Sequence, residues 1–262
     1  MNIKNRYGEW ALVTGASAGI GRSFAGALAK EGVNLILAAR REEELNKLKK
    51  EIESETKVTV VPVTVDLSRD DFLDVIVKKS DNRPVDILVN NAGFGTSGPF
   101  HEINGDKEVA MIKVNCIAPV VLTRHYLPGM LKKNKGAVIF LSSVAANQPS
   151  PMGITYAATK VFDDFIGEAL HYEVRKTGVD VLTVKPGVTA TEFQMVADYN
   201  EFKKFRTGED VVRTALKSLG RKRVVTDGFG NKLMGLSASL LPRGIVIAVA
   251  DKWTDSNRKK KN

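Results

Sequence analysis

Apolar residues along the chain fall into two alternating kinds of run. One kind is short and almost wholly apolar: Ala11–Gly15 behind Trp10, VNLILAA at 33–39, KVTVVPVTVD at 57–66, VDILVNNAG at 85–93, GAVIFLSS at 136–143 and VDVLTVKPG at 179–187. The other is longer, with apolar residues three and four apart. It includes IGRSFAGALAKEG, which stops at Gly32, and REEELNKLKKEIESE, with Leu45, Leu48 and Ile52 on one face. DDFLDVIVKKS, with Leu73, Ile76 and Val77 inward, and ITYAATKVFDDFIGEALHYEVRKTG at 154–178 complete the set. Spacing near 3.6 predicts helices, and short all-apolar runs bounded by turn residues predict strands covered on both faces. GDKEVAMIKVNCIAPVVLTRHYLPGML at 105–131 predicts one long helix with Pro119 inside it; RKRVVTD predicts a short seventh strand, and Pro62 interrupts the third.

Strands alternating with helices imply βαβ units, and right-handed crossovers assemble these into one parallel sheet. The expectation is an α/β, doubly wound, three-layer domain of about seven strands spanning residues 1–262. No linker, internal repeat or low-complexity segment divides it. Residues 227–262 form a C-terminal extension whose apolar run, NKLMGLSASLLPRGIVIAVADKW, is broken by Pro242 and Arg243. Three roles are open for it: a pair of helices making an oligomer contact, a lid on the pocket, or a membrane-surface segment.

Composition narrows the setting. With 262 residues and 43% apolar content the chain can bury a sizeable core. The single cysteine, Cys116, excludes an intrachain disulfide and is read as buried packing. The N-terminal MNIKNRYGEW lacks the apolar region of a signal peptide, and no uncharged apolar run of about 18 residues occurs. A cytoplasmic protein is the expectation. The net charge of +9 includes four consecutive cations, Arg258 to Lys261, read as a solvated terminus. Basic residues elsewhere are mixed with acids and not interleaved with aromatics, so a nucleic-acid partner is not expected. His101, His125 and His171 lack metal-ligand spacing, and no metal site is expected.

The first strand runs into VTGASAGIG, in which Gly15, Gly19 and Gly21 precede a helix. Glycines allow a sharp turn and close backbone approach to a diphosphate, which the helix N-terminus attracts with free N–H groups and its dipole. A Rossmann-type dinucleotide site follows. An acid for an NAD ribose belongs at the end of the second strand. Ala39, Arg40 and Arg41 stand there instead, with Arg22 nearby in the glycine loop. Guanidinium groups there favour a 2′-phosphate, hence NADP(H); otherwise Arg40 and Arg41 simply open a charged helix.

With these motifs in order, residues 8–226 resemble the short-chain dehydrogenase/reductase family. TGASAGIG is similar to its cofactor loop, NNAG at 90–93 to its sheet-stabilising motif, and PGVTAT at 186–191 to its segment around the nicotinamide. Asn115 in KVNCIAP, Ser143, Tyr156 and Lys160 match its four catalytic positions, Ser143 standing thirteen residues before Tyr156. The resemblance implies cofactor contacts from Gly15, Ser17, Gly19, Ile20, Gly21, Asp66, Leu67, Asn91, Ala92 and Gly93. It implies them also from Tyr156, Lys160, Pro186, Gly187, Thr189 and Thr191, with Arg40 and Arg41 at the phosphate. It assigns Lys160 the nicotinamide ribose hydroxyls and Asn115 a water linking Lys160 to solvent. It also implies a homodimer or homotetramer through helices at about 105–131 and 154–177. Asn90 and Asn91 are equally open to structural roles, and Thr191 to capping a helix.

At i and i+4 on a helix, Tyr156 and Lys160 share a face. A phenol titrates near 10 and a neighbouring cation lowers that value, which suits proton transfer nearer neutrality. Ser143, at a strand's C-terminal edge, is placed to hydrogen-bond a substrate carbonyl; Ser142 competes, and the spacing to Tyr156 favours Ser143. The expected reaction is reversible reduction of a ketone or aldehyde. Phe94, Phe100, Val144, Pro149, Pro151, Met152, Phe193, Met195, Tyr199, Phe202 and Phe205 populate the specificity segments, so a hydrophobic carbonyl compound, lipid-like, steroid or acyl, is expected. The alternatives are an NAD-dependent alcohol dehydrogenase and a dinucleotide-binding scaffold without turnover.

Overall fold

A computed structural model describes residues 2–189 and 206–259. Seven parallel strands form one sheet in the order β3-β2-β1-β4-β5-β6-β7. They are β1 (Trp10–Thr14), β2 (Asn34–Ala39), β3 (Val60–Thr64), β4 (Ile87–Asn90), β5 (Gly136–Leu141), β6 (Val179–Lys185) and β7 (Val224–Thr226). Alternate side chains of each strand enter opposite cores, as the pleat requires. Ala11, Val13, Leu35 and Leu37 pack with α2 (Gly19–Lys30), α3 (Glu42–Glu55) and α8 (Gly208–Ser218). Leu12, Ile36 and Val138 pack on the other face with α4 (Phe72–Lys79), α6 (Ala118–Lys133) and α7 (Ile154–Val174). The three-layer, doubly wound architecture expected from the alternation is therefore present.

Pro62 is tolerated because β3 pairs only with β2 and is an edge strand, where a missing N–H leaves no ladder bond unmade inside the sheet. The long helix over 105–131 is not uniform. It is built as α5 (Gly105–Ile112), one wider π turn over Lys113–Ile117, and α6. The widened turn precedes Pro119, which thereby sits in the first turn of α6, where no amide donor is required.

Two helices lie outside the predicted pattern. α1 (Ile3–Tyr7) is capped by Asn2 and buries Tyr7, whose hydroxyl donates to Asp180 Oδ2 at 2.8 Å. Burial, reinforced by Asp180, drives the Tyr7 phenol far above its usual range. α8 starts with a reciprocal capping box between Thr207 and Asp210. The C-terminal extension is a pair of helices, α9 (Phe229–Leu240) and α10 (Arg243–Lys259), separated at Leu241–Pro242. No helix among the described residues is long and apolar enough to cross a membrane.

Candidate active site

Strand order reverses direction at β1, between β2 and β4, so the crevice for a ligand opens beyond the C-terminal ends of β1 and β4. The glycine turn follows β1 there. Gly15 and Gly19 have φ of +65° and +54°, conformations that disfavour a side chain. Gly21 is needed for a different reason: a Cβ would lie 2.9 Å from the Gly15 carbonyl carbon. Asn91 holds the turn from β4, donating from Nδ2 to the Thr14 carbonyl at 2.8 Å, while the N–H groups of Asn91 and Ala92 donate to Thr14 Oγ1 at 3.0 Å each. Asn90 is structural, its amide donating to Thr123 Oγ1 at 3.1 Å inside the core.

The residues at this turn suit a dinucleotide phosphate. α2 has no side-chain N-cap and no acid in its first turn, so its dipole and leading N–H groups meet no protein anion. Arg41 reaches the turn and donates to Ser17 Oγ at 3.2 Å, and exposed Arg40 stands beside it at the end of β2. Arg22 points away, paired with Glu51 of α3, so its expected help at the loop is not observed. Burial pushes the Asp66 carboxyl up, but hydrogen bonds from the Ser68 N–H and hydroxyl outweigh it and hold the group below the usual range. Leu67 beside it is buried.

Lys160 and Asn115 lie close to the loop after β4 that adjoins this turn, with Tyr156 beside Lys160. Lys160 Nζ donates to the Leu141 carbonyl at the end of β5 at 2.8 Å and to Asp163 Oδ2 at 2.9 Å. It lies 6.0 Å from the Tyr156 ring centroid. Burial works against the Lys160 charge, but the Asp163 carboxylate outweighs it and, with Tyr156, holds the ammonium above its ordinary value. Gly93 closes over this group; a Cβ there would be 3.1 Å from Asn115 Oδ1 and 3.4 Å from Lys160 Nζ.

Asn115 sits in the π turn with no exposed surface. Both hydrogens of its amide are spent, on the Phe94 carbonyl and Thr159 Oγ1 at 3.0 Å each, and its Oδ1 accepts from the Phe94 N–H at 3.2 Å. In this arrangement Asn115 ties the loop after β4 to α7. Ser142 and Ser143 are separated by their partners. Buried Ser142 donates to the Lys160 carbonyl at 2.9 Å, whereas half-buried Ser143 accepts from the Ala145 N–H at 3.1 Å and keeps its hydroxyl hydrogen for another acceptor. Burial pushes the Cys116 thiol up to about 11, which fits packing and not nucleophilic chemistry.

Around this centre, the Gly98 N–H donates to the Met152 carbonyl at 2.8 Å and joins the loops before α5 and α7. Half-buried Phe94, Val144, Pro149 and Pro151 belong to those loops, and Phe100 is exposed. α9 leans on the site: Asn147 Nδ2 lies 2.9 Å from where a Cβ of Gly235 would be, and Gly187 backs onto Asn231. The Val144 N–H donates to the Pro186 carbonyl at 3.0 Å, and Thr189 is buried beside Gly187. Thr191, Phe193, Met195, Tyr199, Phe202 and Phe205 lie outside the described residues. No group of three or more potential metal ligands occurs among the described residues.

Several site residues are absent from the expectations above: Thr14, Ser142 as the seat of α7, Thr159 and Asp163. Only Asp163 carried a usable sequence signal, an acid one helical turn beyond Lys160.

Comparison with known proteins gives the same picture. The family profile described as short chain dehydrogenase matches residues 9–201. The very-long-chain 3-oxoacyl-CoA reductase of Mus musculus is 33% identical over 257 residues, covering 97% of this chain and 82% of that protein. A solved 7beta-hydroxysteroid dehydrogenase superposes with a TM-score of 0.89 at 28% identity, covering 95% of this chain and 99% of that one. A short-chain dehydrogenase from Sphingobium yanoikuyae in complex with NADPH gives 0.79 at 27% identity, over 88% and 93% of the respective chains.

Proposed function

The chain belongs to the short-chain dehydrogenase family of NAD(P)-dependent oxidoreductases, and from that premise we propose that it reduces a hydrophobic ketone or aldehyde with NADPH. The observation that carries the proposal is Lys160 of α7, 6.0 Å from the Tyr156 ring centroid, hydrogen-bonded to the Leu141 carbonyl at the end of β5, two residues before Ser143. A nicotinamide bound in the crevice supplies hydride to the carbonyl carbon. Ser143 donates a hydrogen bond to the carbonyl oxygen, and Tyr156 gives its proton to that oxygen as negative charge develops. Lys160 orients the ribose and stabilises the phenolate left behind. Asn115 keeps the loop carrying Gly93 against α7; a water relay there would rest on its remaining Oδ1 lone pair or its main chain, since both amide hydrogens are spent.

NADPH preference is supported by Arg41 at Ser17, by Arg40 alongside, and by the lack of a carboxylate closing β2. The related reductase of very-long-chain acyl substrates and the hydroxysteroid enzyme support a large apolar substrate. A dimer or tetramer is supported by exposed Val109, Ile112, Phe165 and Tyr172 on α5 and α7; sedimentation should give a multiple of 28.6 kDa, and a monomer counts against it.

The test is parallel equilibrium binding of NADPH and NADH, with Arg40→Ala. At least tenfold tighter NADPH binding, about 1.4 kcal/mol, that shrinks in the variant is expected. Equal or tighter NADH binding makes NAD-linked alcohol oxidation the better reading.

A further inference from the structure

Lys160 is a cation with 5% of its surface exposed, and a charge so buried needs compensation. Asp163 provides it from the next turn of the same helix, itself 3% exposed, with Oδ2 at 2.9 Å from Nζ. The other charged and titratable groups around Lys160 are Tyr156 on α7 and the Cys116 thiol from the π turn, alongside the neutral Asn115. The adjacent acid, Asp164, is engaged elsewhere by Lys185 of β6 at 2.6 Å. Among the described residues, the ammonium's immediate ionic partner is thus one carboxylate.

That partner changes what Lys160 does to the phenol. A lone ammonium lowers the phenol pKa strongly; an ammonium paired with a carboxylate presents much less net charge and lowers it less. Two of the three ammonium hydrogens are also spent, on Asp163 and Leu141, which fixes where Nζ points and leaves one hydrogen for a ribose hydroxyl. We propose that Asp163 is a positioning residue that seats Lys160 and offsets its charge, weakening the pull of the ammonium on the neighbouring Tyr156 phenol. This rests on the reading of Tyr156 as proton donor, but the electrostatic link itself does not depend on turnover.

The experiment is an ultraviolet titration of phenolate in protein without cofactor or substrate. Each protein is compared with its Tyr156→Phe counterpart, so that only the Tyr156 signal remains. Asp163→Asn keeps the shape and removes the charge. Its Tyr156 titration should move to lower pH by about one unit, and the high-pH loss of NADPH-dependent carbonyl reduction should move the same way. An unmoved titration in a folded Asp163→Asn protein overturns the proposal. If Asp163→Asn does not fold, stability is measured with Lys160→Met added. Rescue shows that the acid was compensating the lysine, and failure to rescue overturns that role. A shifted titration in a protein that reduces no carbonyl compound would sink the reductase reading alone.

Discussion

Tyr156 tests the chemistry at the smallest scale. Phenylalanine keeps its ring between Lys160 and the substrate loops but has no proton to give. Tyr156→Phe should lower reductase kcat by 10²- to 10⁴-fold, the range for losing a general acid, while NADPH affinity by fluorescence titration stays within a few-fold. Retained turnover would show that another group protonates the product. Asn115, Ser143, Tyr156 and Lys160 were singled out because they match the positions and order of a known family's motifs. Thr14, Thr159 and Ser142 were not. Each acts through one hydroxyl on a main-chain or amide group brought close by the fold, from as far as 77 residues away in the case of Thr14 and Asn91. A lone Ser or Thr carries no periodicity that announces such a partner. Arg22 shows the converse error, since its place beside the glycine loop suggested a role there, while Glu51, in the third turn of α3, claims the side chain.

Elements were predictable where apolar spacing was long and regular, and they failed at their ends. The strand expected over 136–143 stops at Leu141, although the Ser142 N–H still donates to the Val184 carbonyl of β6 at 2.9 Å. The π turn at 113–117 could not be read from apolar spacing, since one widened turn in a long helix shifts the pattern by a single position. α8 went unread, although its sequence carries a cap as well as a short apolar face. The Thr207 hydroxyl accepts from the Asp210 N–H at 3.2 Å and the Asp210 carboxylate returns the bond. Thr207→Ala should therefore cost about 1 kcal/mol in urea unfolding. No loss of stability would mean the cap is redundant with the packing of Val211, Val212 and Ala215.

Across the whole molecule, the parallel, doubly wound architecture followed from alternation, whereas the strand order and the closure of the sheet's far edge did not. There Asp227, with no exposed surface, accepts from Arg206 at 2.6 and 2.8 Å and from Thr214 at 2.6 Å. Burial alone would raise its pKa, but these bonds prevail and hold it below the usual carboxylate range. A folded-state pKa below the unfolded one gives stability that is complete above about pH 4 and is lost as pH falls through the folded value. Thermal melts should show Asp227→Asn less stable than wild type near neutrality, with the gap narrowing below about pH 4. A gap that stays constant would exclude titration of Asp227 as its source.

The same clasp bears on inheritance and engineering. Thr189 and Arg206 pair as an isolated parallel bridge, so the chain leaves and rejoins the framework at neighbouring points. Framework stability is then nearly independent of what is written between them, because lengthening an excursion with fixed ends costs little. A chimera carrying the corresponding stretch of a relative between Thr189 and Arg206 should therefore melt at nearly the parent temperature, and a large drop would show that the span itself holds the framework.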